Sequence, residues 1–403
     1  MREKLQTCYV SFQNQALLRQ RMHILLLRLI EYIAFKGMVV LGENNYCSYQ
    51  VEGSQDKSHE LSVDFGLRKN NPELITVNAP FEKEIRRAYA LADDLVLSVD
   101  ELYAQLRIGK QVDLESTRAL LASCALSIET NMYAWMFLCQ VKNPASYLVE
   151  HAFRTAALSM CLGLNQGLKR AELVELGLAA LLSDVGKIMI PSAILEKEGA
   201  LSSAEYAVIR VHPLEGRKIL LSQTNASREL IEVVVSHHEQ IDGEGYPAKL
   251  KGNEIPFFAR LVSIADAFDA MTSERSYAPA RSIRDAKSIL WECKDKQFDA
   301  EFVDRFILML GAFPPGTEVM LADAGAAVVL EPFENSATDF KVLCYKQIAN
   351  LDIDVATKDA DAGDKRYISS LEPHVVCNFR QSELRKQLSW QSSAHKAKSK
   401  INN

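Results

Sequence analysis

Apolar residues recur at helical spacing through the middle of the chain. From Phe81 to Leu106 the stripe runs through Ile85, Tyr89, Ala92 and Val96, and from Leu114 to Phe137 through Leu121, Ala125, Ile128, Met132 and Trp135. The link from Gly109 to Asp113 makes residues 81–140 a predicted helical hairpin. Beyond Asn143-Pro144, helical segments follow one another closely to about Met309. One carries Val174, Leu178, Leu181, Leu182 and Val185 and ends at Asp184-Val185-Gly186-Lys187. Another opens at Pro256, a favoured first-turn residue, and runs through Leu261, Ile264, Ala265, Phe268 and Met271 with Asp266 in its middle. Both read as core helices with one embedded carboxylate.

Pro314-Pro315-Gly316 ends the helical pattern. Thr317 to Met320, Ala326 to Leu330 and Lys341 to Tyr345 read as short strands, separated by the turn residues Asp323-Ala324-Gly325 and Asn335-Ser336. After Lys358 the chain is rich in Asp, Lys, Ser and Gln, and its last 26 residues carry six Lys or Arg against one acid, Glu383. That composition predicts a disordered basic tail over residues 351–403. At the other end, residues 1–80 mix an apolar segment with a weakly strand-like stretch broken by Asn70-Asn71-Pro72, and no fold is assigned to them.

Composition narrows the class without naming a chemistry. A chain of 403 residues, 48% hydrophobic, can bury a sizeable core and form two or three domains. Its eight cysteines form no Cys-x-x-Cys pair, which predicts reduced thiols in a cytoplasmic protein. A net charge of -6 gives no electrostatic reason to expect a polymeric nucleic acid. Arg19, Arg21, Arg28 and Glu31 interrupt the N-terminal apolar run, so neither a signal peptide nor a membrane span of roughly 20 residues is expected.

Four of the eight histidines, His151, His212, His237 and His238, fall within the helical stretch that also carries Asp184 and Asp266. A binuclear site for phosphate ester hydrolysis needs nitrogen and oxygen donors from several elements, a bridging carboxylate and open positions for water and substrate. These six residues could supply that set, with Glu239 and Asp269 as candidates for orienting the donors. Taken singly, each has a plainer reading: His151 as a core or surface histidine, His212 as a helix cap, Asp184 as a helix-end carboxylate, and Asp242 to Pro247 as turn chemistry. Their joint appearance favours the metal site.

Taken together, HHEQIDGEGYP at 237–247, LLSDVGKIMIP at 181–191, RVHPLEGRKIL at 210–220 and ADAFDAMTSERSY at 265–277 resemble the HD-GYP family of metal-dependent phosphohydrolases. The resemblance implies a mainly α protein: an HD-domain helical bundle over 141–311, the helical hairpin before it, and a small β appendix over 312–350 after it. It implies hydrolysis of cyclic di-GMP to pGpG or GMP in bacterial second-messenger signalling. Asp184 would bridge two metals, iron or manganese ahead of zinc; His151 and Asp266 would complete the first, and His212, His237 and His238 the second. Lys187 would contact the scissile phosphate or the bridging hydroxide, Arg275 a guanine or phosphate, and Gly245, Tyr246 and Pro247 would form the substrate-side loop. Candidate partners are the cyclic dinucleotide, a diguanylate cyclase docked on that loop, and a second copy in a homodimer.

The chain departs from the family pattern at the dipeptide that names it. The family has His-Asp, whereas this chain reads Ser183-Asp184, so an imidazole of the first metal is replaced by a hydroxyl, a poorer ligand. Tyr147 stands where some members carry a glutamate for a third metal, and Ala278 where a basic residue often follows Arg-x-Tyr. Two alternatives therefore stand beside the phosphodiesterase: a catalytically impaired module acting as a cyclic di-GMP receptor or protein-docking element, and a phosphohydrolase for another nucleotide.

Overall fold

The helical periodicity becomes twelve α-helices among the residues described by the computed structural model, which are 78–140, 146–195, 197, 199–273, 280–311, 313–321, 325–332, 339–344 and 376–380. They divide into two compact units, one holding the helices to Leu310 and the other the strands that follow Gly311. The described chain is mainly α. Arg275, Ala278 and all but the last few residues of the 1–80 segment lie outside the described residues.

In the helical unit, α1 (Phe81–Arg107), α2 (Glu115–Thr130) and α3 (Met132–Leu138) come first. The second limb of the expected hairpin is therefore two helices. Asn131 breaks it: its backbone is extended, and its side-chain oxygen accepts from the N–H groups of Tyr133 and Ala134, which starts a new helix. Next follow α4 (Tyr147–Asn165), α5 (Arg170–Leu182), a 3-10 turn (Val185–Met189), α6 (Ser192–Leu195) and α7 (Ser203–Ile209). The remaining helices are α8 (His212–Gln223), α9 (Arg228–Ser236), α10 (Phe257–Thr272), α11 (Ile283–Glu292) and α12 (Ala300–Leu310).

The caps explain several of these boundaries. Ser146, Ser227 and Ser282 accept from the N–H groups of Val149, Leu230 and Asp285, each cap contributing about 1 kcal/mol. Pro256 directly precedes α10, as its fixed backbone angle favours. Helix α4 lies at the centre, packed against α5 and α10 and buried along nearly all of its length. Most of its buried positions are apolar, and on one face His151 and Arg154 meet the Asp266 and Asp269 carboxylates of α10. Phe268 of α10 meets Phe306 of α12 edge to face with ring centroids 5.2 Å apart.

The second unit contains one antiparallel sheet in the order β1 (Glu318–Leu321), β2 (Gly325–Pro332), β3 (Asp339–Cys344), β4 (Val376–Arg380). Val342 faces Val329 on one side and Cys377 on the other. Three strands match the expected appendix. The fourth comes from the segment expected to be a disordered tail, and its backbone completes the pairing of β3.

Candidate metal centre

Asp184 is carried just past the end of α5, and two features position it. Tyr103 of α1 donates its hydroxyl to the Leu181 carbonyl at 2.6 Å, satisfying an acceptor that the helix terminus leaves open. Gly186 lets the 3-10 turn approach α8 closely: a Cβ there would lie 1.9 Å from the His212 carbonyl oxygen. The buried Asp184 carboxylate thus faces His212, the first residue of α8, and His237, which follows α9 directly.

On the Oδ1 side, three imidazoles converge. His212 Nδ1 lies 2.8 Å from the Ile209 carbonyl and His237 Nδ1 lies 2.7 Å from the Val234 carbonyl. A carbonyl only accepts, so both rings carry a hydrogen on Nδ1 and turn Nε2 inward. Those two Nε2 atoms are 3.3 Å apart, and they lie 3.2 and 3.8 Å from Asp184 Oδ1. The Oδ1 atom is buried with no hydrogen-bond donor, although imidazole nitrogens surround it. Ring nitrogens converging on a buried carboxylate oxygen are what a cation would hold together, and His238 completes the donor group. Burial, reinforced by His212, pushes His237 down to about 4, and burial and His237 hold His238 well below the usual histidine range. Both are neutral and ready to donate at pH 7.

The Oδ2 side has a different chemistry. His151 Nε2 lies 2.8 Å from Asp266 Oδ1 and 3.2 Å from Asp184 Oδ2, and these three form the second donor group. Its Nδ1 is 2.6 Å from Asp269 Oδ2, and Asp269 Oδ1 in turn accepts from Arg154 Nε at 2.5 Å. Burial works against a charged His151, but Tyr147 and the three carboxylates outweigh it and raise its pKa well above the ordinary value. Lys187, one turn past Asp184, donates to Oδ2 at 2.5 Å. Burial opposes the charge on Lys187 as well, and the Asp184 and Asp266 carboxylates overcome it.

Ser183 directly precedes the shared carboxylate. Its hydroxyl is turned into the helix, donating to the Ala180 carbonyl at 2.8 Å, and only 2% of the residue is exposed. Tyr147 stacks on the His151 ring, with centroids 5.7 Å apart and planes 6° from parallel. On the far side of the centre, Tyr246 stacks on His238 at 4.8 Å. Gly245 is required there, because a Cβ would fall 2.3 Å from the Gln240 nitrogen. The loop is pinned by Glu239, whose carboxylate accepts from the N–H groups of Ala248 at 2.6 Å and Leu250 at 3.1 Å.

A family model described as an HD domain matches residues 140–302. The cyclic di-GMP phosphodiesterase PA4108 of Pseudomonas aeruginosa is 30% identical to this chain over 302 residues, 74% of this chain and 72% of that protein. The chain belongs to the HD-GYP family. Two other relatives align with less than half of their own length. A cyclic di-GMP phosphodiesterase of Thermotoga maritima is 35% identical over 159 residues, 39% of this chain and 43% of its own. The 3'3'-cGAMP-specific phosphodiesterase 3 of Vibrio cholerae is 32% identical over 174 residues, 43% of this chain and 37% of its own.

The HD-GYP centre brings together all six donors expected from the sequence, with Lys187 beside Asp184 and Tyr246 beside His238. Asp269 orients a donor imidazole as expected. Glu239 does not: despite sitting next to His238 it holds the loop, because the chain has left α9 and its side chain reaches forward. Arg154 and Tyr103 were not anticipated. The spacing His151-x-x-Arg154 places both residues on one helix face and could have flagged the first, whereas Tyr103 leaves no local signal. Among the described residues no helix is long and apolar enough to cross a membrane.

Proposed function

We propose that this chain is a divalent-metal-dependent phosphodiesterase of the cytoplasm that hydrolyses cyclic di-GMP to linear pGpG or GMP. The observation that carries this reading is the meeting of two donor groups on the two oxygens of one buried carboxylate, Asp184. The donor set fits a pair of divalent cations, with iron or manganese ahead of zinc. Bound there, such ions supply hydroxide at neutral pH and neutralise charge on the phosphoryl oxygens. The chain's own residues do the rest. Asp184 holds both halves together, Asp269 and the backbone carbonyls of Ile209 and Val234 aim the imidazoles, and Lys187 offers its ammonium to a phosphoryl oxygen beside Oδ2. The names of the Pseudomonas and Thermotoga relatives support cyclic di-GMP as the substrate, and that of the Vibrio relative makes 3'3'-cGAMP the comparison substrate. After anaerobic reconstitution with iron or manganese, turnover of cyclic di-GMP is expected to exceed that of an Asp184→Ala control by at least about a hundredfold. Equal rates would overturn the reading.

A second reading rests on Ser183, whose hydroxyl is committed to Ala180 and leaves the Oδ2 side with three donors. In it the module binds cyclic di-GMP and signals the bound state without appreciable turnover. Ser183→His then switches hydrolysis on, whereas an enzyme that is already active gains little.

A further inference from the structure

Arg210 caps the C-terminal end of α7, two residues before the donor His212, and it is exposed. Its guanidinium carbon lies 4.3 Å from the centre of the Tyr246 ring, and Tyr246 stacks on His238 at 4.8 Å with 24° between the planes. His238, Tyr246 and Arg210 therefore form a ladder from the donor cluster to the surface. The guanidinium rests over the ring, and among the described residues its N–H groups make no hydrogen bond, so they remain available to a ligand. Among the described residues no carboxylate pairs with it, whereas Arg118, Arg154, Arg170, Arg228 and Arg260 each have an acidic partner. A cation fixed by an aromatic ring two stacking distances from a ligand histidine, and not neutralised, is suited to a substrate anion.

We propose that Arg210 anchors the unreacting phosphate of a cyclic dinucleotide; this rests on the phosphodiesterase reading above. Such a substrate carries two phosphodiesters closed in one ring, so seating one on the donor cluster leaves the other displaced from it at a distance the ring fixes. Lys187 cannot serve that second phosphate, since its ammonium lies against Asp184 inside the centre. Arg210 stands outside the cluster on the Tyr246 side, and its planar fork matches two phosphate oxygens at once. Arg210 would be a specificity residue that distinguishes a double phosphodiester from a single one.

The test compares the metal-reconstituted full chain with its Arg210→Gln and Arg210→Lys variants on cyclic di-GMP and on bis(4-nitrophenyl) phosphate, which has one phosphodiester. For cyclic di-GMP, Arg210→Gln is expected to raise KM about tenfold with kcat within about twofold, the size of a lost charge-assisted contact at an exposed site. Arg210→Lys should fall between the two. Hydrolysis of bis(4-nitrophenyl) phosphate and the metal content should not change. An unaltered KM for cyclic di-GMP overturns the proposal, and so does an equal loss on both substrates, which would mean that Arg210 acts only by supporting Tyr246 and His238. If the wild type binds cyclic di-GMP without turning it over, calorimetric Kd values replace KM and the same tenfold weakening is required. A wild type that cleaves bis(4-nitrophenyl) phosphate yet neither binds nor cleaves cyclic di-GMP overturns this proposal together with the substrate reading. Activity on cyclic di-GMP with a silent Arg210→Gln overturns this proposal alone.

Discussion

On the Oδ1 side of Asp184, three imidazoles converge, two of them donating Nδ1–H to backbone carbonyls and so turning Nε2 toward the carboxylate. On the Oδ2 side, the one imidazole lies between carboxylates, and an ammonium occupies the oxygen that a metal would use. The donor residues on both sides are of the types that bind transition metals. The difference lies in what each donor already touches. The first side has no competing partner to displace, so binding there needs little reorganisation; the second is satisfied by its own ion pairs, and a cation must replace them. Ser183 sharpens the contrast, because the hydroxyl in the place of the family's histidine is bonded into α5.

The largest expected effect comes from deleting one donor on each side. His237→Ala should weaken the tightest bound equivalent of manganese at least about a hundredfold, while His151→Ala leaves that equivalent in place, as measured by metal content after dialysis. Equal losses would break the comparison. A smaller effect should follow from pH. His237 stays neutral until pH falls through about 4 and His238 is held well below the usual histidine range, so neither of these two donors should lose cobalt to protons between pH 8 and 5.5. The raised pKa of His151 makes protons compete on the other side, where cobalt affinity should fall by up to about tenfold per pH unit below that pKa. The cobalt absorption bands would resolve the two. A third variant, Asp269→Asn, should lower affinity about tenfold on the His151 side alone, since it leaves one acceptor oxygen where His151 and Arg154 each use one. The smallest effect is expected from Tyr103→Phe, which frees the Leu181 carbonyl that helps place Asp184 for both sides. It should cost about 1 kcal/mol in denaturant unfolding and leave the ratio of the two metal affinities unchanged.

The donor set was legible because imidazoles and carboxylates that serve a metal must be of a few residue types, and motif spacing preserves those types. What surrounds them was less so. The apolar stripe from Leu114 to Phe137 runs straight through Asn131, so periodicity gave no warning that this side chain would end one helix and cap the next. Strand β4 was hidden by the polar composition around it, because a strand's backbone pairing needs a partner more than it needs hydrophobic residues. Arg154 and Arg210 are alike in sequence as basic residues near a histidine. Only tertiary packing makes one a buried support of Asp269 and the other an exposed cation resting on Tyr246.

The Glu239 contacts bear on how a substrate enters. One carboxylate, adjacent to His238, takes the amide hydrogens of Ala248 and Leu250, so the loop cannot lift without also breaking the hydrogen bonds that hold it to the ligand-bearing segment. Those two amides should exchange with solvent deuterium on the slow clock of the end of α9 rather than at the rate of a surface loop. The loop then works as a fixed jamb of the doorway, and any movement that admits a nucleotide has to occur elsewhere along the rim.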